Sequence, residues 1–105
     1  MPDVVVEYRP DESRFVATVT GRDEVAFLEV DTGKSVWSFT HTAVPPSLAG
    51  SGVGSALVAG ALDHARKLGV KVIPHCPFVA AYVRRHPEAL DLVPDRFRHL
   101  VEDGA

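Results

Sequence analysis

Hydrophobic and polar positions follow one rhythm in the first part of the chain and another in the second. Up to Thr42 the apolar residues fall in short runs, Val4–Tyr8, Arg14–Thr20, Val25–Val30 and Ser35–Thr42. The last of these alternates large apolar with polar side chains through Val36, Trp37, Ser38, Phe39 and Thr40, the pattern of a half-buried strand. Turn-forming residues separate the runs, Pro10 to Ser13 after the first and Asp31-Thr32-Gly33 before the last, and Pro45-Pro46 end the series. The pattern predicts four strands in a meander with no helix between them. From about Ser55 the spacing becomes helical. Val58, Ala61, Leu62, Ala65 and Leu68 lie on one face, Asp63, Arg66 and Lys67 on the other, and Gly69 supplies the stop. Val70–Pro74 reads as a short buried strand, and Cys76-Pro77-Phe78 opens a second helix that carries Tyr82. Beyond Pro87, Leu90–Val93 reads as a short edge strand and Pro94–Val101 as a final helix with Phe97 and Leu100 inward.

The expected architecture is α/β in the broad sense (α+β), an antiparallel meander followed by strand, glycine loop, helix, strand and helix. A chain of 105 residues with 46% hydrophobic content fills one core, so residues 1–105 are read as one domain. The formal net charge of −3 and the scattered Lys and Arg residues give no basic footprint for nucleic acid. No apolar run approaches the ~20 residues of a membrane span or has the form of a signal peptide. The single cysteine excludes an internal disulfide framework. These readings give a cytoplasmic protein as the expectation, without membrane or nucleic-acid partners and with a monomer or weak homodimer as its state.

Chemistry enters between the last strand of the meander and the first helix. Gly50, Gly52 and Gly54 occupy alternate positions directly ahead of the helical pattern. Glycine permits positive φ and close approach, so successive N–H groups can converge on one point, and the helix start adds unpaired donors and the positive end of its dipole. An anion such as a phosphate or pyrophosphate is the expected guest, held by Gly50, Ser51, Gly52, Val53, Gly54 and Ser55. A plain packing turn is the alternative. A nucleotide-hydrolase P-loop would need Lys after its last glycine, and Ser55-Ala56 stand there instead. A dinucleotide fingerprint would need a third glycine where Ser55 lies and an acidic residue about 20 positions on, where the apolar strand falls.

The glycine pattern resembles the Gln/Arg-x-x-Gly-x-Gly/Ala loop of the GNAT acyl-CoA N-acyltransferases, with Gly52 and Gly54 on its glycines and Ala49 at its Gln/Arg position. The order of elements from Val36 to Glu88 is similar to the ligand-binding half of that fold. The strings THTAVPP, GSGVGSALV and VIPHCPFVAAYVRRHPE resemble its small single-domain YidJ-type acetyltransferases more closely, which commonly carry basic residues near the loop glycines where this chain has Ala49 and Ser51.

This resemblance implies acetyl-CoA as cosubstrate and an amine as acceptor; no pair of His, Cys or carboxylate residues has metal-ligand spacing, so no metal is expected. It implies that backbone near Thr42–Val44 binds the pantetheine arm. It places Cys76 beside the thioester, as an acetyl acceptor or as a packing residue, and Tyr82 as the acid for the departing thiolate or as ordinary helix packing. Arg84 and Arg85 on the second helix read as coenzyme-phosphate ligands or as a solvated helix face, and Phe78 as packing against the pantetheine or as the start of the helix core. His41 at the end of its strand is the preferred candidate base, with His75 as a second; a half-exposed strand residue is the alternative for His41. His64, His86 and His99 read as helix-surface residues. The absence of room for helices between Tyr8 and Arg14 implies an open acceptor side, suited to a large amine or completed by a second subunit. The rival readings are a non-catalytic acyl-CoA-binding module and, leaving the loop unexplained, a cysteine hydrolase using Cys76 with His41 or His75.

Overall fold

A computed structural model describes residues 3–102. Strands β1 (Val4–Arg9), β2 (Arg14–Val19), β3 (Val25–Asp31) and β4 (Val36–Ala43) form an antiparallel meander, as their alternation predicts. Helix α1 (Val53–Leu68) then crosses over to β5 (Lys71–Pro74), which pairs with β4 in parallel, giving one mixed sheet in the order β1-β2-β3-β4-β5. A parallel pair needs such a crossover, because its strands start at the same end of the sheet. Helix α2 (Pro77–Arg85) follows, and α3 (His99–Glu102) packs against it.

The core lies between the sheet and α1. Phe15, Ala17, Val19, Ala26, Leu28, Val30, Trp37, Phe39 and Val72 point from the strands toward Leu57, Val58, Ala61, Leu62 and Ala65 of the helix, and all are buried. Val79 and Val83 of α2 and Val101 of α3 extend the same cluster. Close contact of α1 with the sheet depends on Gly60, since a Cβ there would stand 2.9 Å from Val6 Cβ.

Several expected boundaries shift. Helix α1 starts at Val53, ahead of Ser55, because Gly52 in a left-handed conformation turns the chain directly into it. Leu68 is 54% exposed, since the last turn projects beyond the sheet before the Gly69 cap. Leu90–Val93 is not a strand. Pro87–Leu92 forms a 3-10 helix, held to α1 by Arg66 Nη1 and Nη2 at 2.6 and 2.9 Å from the Asp91 carboxylate. The predicted helix over Pro94–Val101 is split into a 3-10 turn at Asp95–Phe97 and α3, and the fully buried residue is Val101, with Leu100 half-buried.

Candidate active site

Two structural events at the end of β4 make the site. The first is a bulge. Val30 pairs with Phe39, whereas Glu29 pairs with His41 and Leu28 with Thr42, so Thr40 is an extra residue on β4. A bulge shifts side-chain parity. His41 therefore leaves the inner face of Trp37 and Phe39 for the outer one, opposite Glu29 and 6.2 Å from the Phe27 ring, and Thr42 turns inward. The second event is a divergence of strands. Pairing of β4 with β5 ends at Phe39 and Pro74, whereas β4 continues to Ala43. Beyond that point its β5-side edge meets no strand among the described residues and can hydrogen-bond an extended chain that carries amides.

Cys76 stands where the strands part. Its N–H donates to Phe39 O at 3.0 Å, its carbonyl accepts the Ala80 N–H at 3.0 Å, and its Sγ lies 3.2 Å from Thr42 Oγ1. These bonds hold the thiol, which is buried, at the first turn of α2.

The glycine loop lies beside this point. Pro46–Leu48 forms a 3-10 turn anchored by buried Leu48, and the Ser51 hydroxyl donates to Leu48 O at 2.5 Å, so this side chain braces the loop. Gly50 and Gly52 have φ of +80° and +86° and open space where a Cβ would stand, so conformation, not crowding, requires glycine at both. At Gly54 the requirement is crowding, because a Cβ would meet Phe78 Cζ at 2.7 Å. Gly52 is the N-cap of α1 and no side chain caps the helix. Its first-turn N–H groups thus lack the partner that Ser, Thr or Asp usually provides. They border a cavity of about 340 Å³ lined by Val44, Leu48, Ala49, Gly50, Gly52, Gly54, Ser55 and Phe78. Val53 contributes backbone only, as its side chain is in the core.

The other candidate residues lie elsewhere. Tyr82 stacks on His86 with ring centroids 4.1 Å apart and lines a separate cleft of about 140 Å³ with Leu62, Asp63, Arg66 and Glu88. His75 is exposed and packs edge-on against Phe97 at 6.2 Å. His64, expected at the helix surface, is half-buried between the rings of Tyr8 and Phe15 at 5.2 and 5.4 Å. Arg84 Nε donates to Val101 O at 2.8 Å and fastens α3, while Arg85 is exposed at the end of α2, two turns beyond Phe78. The structure thus brings Cys76 and Thr42 together near the glycine loop and does not bring Tyr82, His41 or His75 to them. Leu48 and Ala49 in the cavity wall, and the hydroxyl of Thr42 on the thiol, were missed by sequence reasoning.

A family model described as GCN5-related N-acetyl-transferase matches residues 14–92, a span that holds the bulge, the glycine loop, Cys76 and α2. The chain belongs to this family. A search of curated proteins returns no match. Family membership supports an acetyltransferase role that uses acyl-CoA, and the mixed sheet with its β4-α1-β5-α2 sequence is consistent with the family's fold. Acetyl-CoA, the family's cosubstrate, fits the residues present: an uncapped helix start with two positive-φ glycines answers a pyrophosphate, and the apolar walls of Val44, Leu48 and Phe78 suit the rest of a long flexible ligand. Among the described residues no helix is long and apolar enough to cross a membrane.

Proposed function

We infer that this chain transfers an acetyl group from acetyl-CoA to an amine, with its glycine loop as the coenzyme site and the Cys76–Thr42 pair as the reaction centre. The observation that carries the reading is the uncapped start of α1 opening on the cavity beside the point where β4 and β5 part. The resemblance of three strings to those of the YidJ-type acetyltransferases supports membership of that small branch.

Bound acetyl-CoA supplies a thioester, whose carbonyl carbon takes the amine nitrogen as the C–S bond breaks and the amine's proton neutralises the departing thiolate. The chain's own contribution is positional. Backbone N–H groups of Gly52 to Ser55 hold the anionic end, Val44 and Phe78 enclose the apolar part, and the free edge of β4 from Thr40 to Ala43 offers amide partners to the arm. Buried Cys76 and half-buried Thr42 offer a thiol and a hydroxyl, either of which can donate to a developing negative charge. Attack by the amine itself is the favoured route, and transfer through Cys76 is the lesser one.

A second reading, an acyl-CoA-binding regulatory module without turnover, is favoured by one observation. Tyr82 and His41 both lie away from Cys76, so neither the candidate acid nor the preferred candidate base stands at the thiol.

Calorimetric titration with acetyl-CoA, followed by turnover assays with an amine panel, tests these readings. Saturable binding with turnover is expected, and binding without turnover on any amine would favour the regulatory module. No binding at millimolar coenzyme would overturn both. Intact-mass spectrometry of wild type and Cys76→Ala decides the route, since an added acetyl group seen only in the wild type would put the two-step path first.

A further inference from the structure

The two edges of the sheet differ in a way the transferase site does not explain. β5 is a guarded edge, four residues long with Pro74 in it and with Lys71 Nζ tied to Asp91 O at 2.6 Å. β1 is not. It has six residues without Pro, Lys, Gly or a bulge, its pairing with β2 is unbroken from Val4 to Arg9, and its other edge meets no strand among the described residues. Edge strands of this kind are templates for another strand unless something blunts them. The two charges within β1 are paired with each other on the outer face, Arg9 Nε being 2.9 Å from Glu7 Oε1. Apolar surface remains at the rim on both faces. Val4, Val6 and Tyr8 are only partly buried against the core, and Val5 on the outer face is 60% exposed.

We propose that two copies of the chain pair through β1, antiparallel and centred on Val6, to form one continuous sheet across a two-fold axis. Charge complementarity and the length of β1 together select the register, since an axis on Val4 or Tyr8 opposes at most three residues of β1 to β1. For both copies to keep α1 on the same side, directly opposed residues must come from the same face, so the axis falls on a residue. Centring on Val5 would oppose Asp3 to Glu7, and centring on Glu7 would oppose that carboxylate to its own copy, both repulsive arrangements. Centring on Val6 opposes Asp3 to Arg9 twice, Val4 to Tyr8 twice, Val5 to Glu7 twice and Val6 to itself. This register contains no like-charge pair, and it sets an aromatic ring against a β-branched side chain, a favourable cross-strand combination. A six-residue ribbon is at the small end of protein interfaces, so the association is weak and concentration-dependent.

Val5 carries the test, because it is exposed and each copy meets Glu7 of the other. Sedimentation velocity on the full chain, from roughly 10 µM to 1 mM, is compared for wild type, Val5→Glu and Val5→Lys, with circular dichroism to verify the fold. Val5→Glu adds two like-charge pairs and is expected to weaken the dimer about tenfold, whereas Val5→Lys adds two opposite-charge pairs and is expected to tighten it about tenfold. A wild type that stays monomeric across the range overturns the proposal. So does a dimer whose dissociation constant does not move in opposite directions in the two variants.

Discussion

At the scale of single residues, the glycines of the loop have different reasons for being glycine, and the reasons separate their mutational effects. Gly52 is required by its backbone, with φ of +86° and nothing near a Cβ, whereas Gly54 is required by the Phe78 ring. The atom that a Gly54 side chain would strike is the far end of that ring, which can turn away only by moving into or across the cavity it lines. Gly54→Ala is therefore expected to weaken acetyl-CoA binding about tenfold, ~1.4 kcal/mol, by calorimetry while leaving the melting temperature nearly unchanged. Gly52→Ala should instead lower stability by about 1 kcal/mol, measured by urea denaturation, because a side chain is forced into the left-handed region. The same scale holds the clearest limit of the sequence. Strict alternation from Trp37 and Phe39 puts His41 on the inner face, and a single extra residue at Thr40 reverses this. No residue type near Thr40 announces the bulge, since it arises from how β4 registers against β3.

At the scale of elements, α1 is fastened to the sheet and to the following 3-10 helix by contacts remote from the site. Gly60 lies under Val6, whose branched Cβ has little freedom to move aside. Gly60→Ala gains about 1 kcal/mol of helix propensity but must lift α1 from β1, so a net loss of about 1 to 2 kcal/mol is expected, with coenzyme affinity unchanged. Val6→Ala in the same chain should recover part of the loss, which a double-mutant cycle by urea denaturation measures. The bidentate Arg66–Asp91 pair ties the 3-10 helix to α1 and holds the Asp91 carboxyl below the usual carboxylate range, chiefly through the side-chain hydrogen bond. A carboxyl whose folded value is lowered stabilises the fold above its unfolded titration range and loses that contribution as pH falls through the folded value. Asp91→Asn should thus melt below wild type at neutral pH, and the two melting curves should converge in acid below the carboxylate range. The gap is expected to be small and to shrink with salt, because both side chains are exposed. Helix α2 also explains Tyr82. Phe78 and Tyr82 are one turn apart and both face α1, so the helix carries Tyr82 along α1 and away from Cys76. Spacing from Cys76 could not reveal this, because it depends on how two helices cross.

At the scale of the whole molecule, the sheet has one face packed on α1 and an outer face on which Val5, Thr18, Phe27, Glu29 and His41 are accessible to differing degrees. Coenzyme binding at the proposed loop site would join α1, α2 and β4, so it is expected to stabilise the folded chain as a unit. At a ligand concentration 100 times the dissociation constant the gain is about 2.7 kcal/mol, which for a domain of this size raises the melting temperature by roughly 10 °C or more. Differential scanning fluorimetry with acetyl-CoA checks this, and Gly54→Ala should show a smaller rise at the same concentration.

The sequence by itself determined the elements whose signal is local: the four strands of the meander from their alternation, α1 from its helical spacing, the glycine loop from residues that serve special backbone conformations, and the resemblance that names the coenzyme. Periodicity and turn chemistry act over a few residues, and one chain contains that information. Tertiary structure decided which candidates meet. Thr42 reaches Cys76 through a bulge and across the gap between strands 34 positions apart, Tyr82 is carried into a second cleft, and Leu90–Val93 forgoes a strand for a turn pinned by Arg66. Those outcomes depend on register, on crossing geometry and on contacts between distant segments, none of which is encoded at any single position.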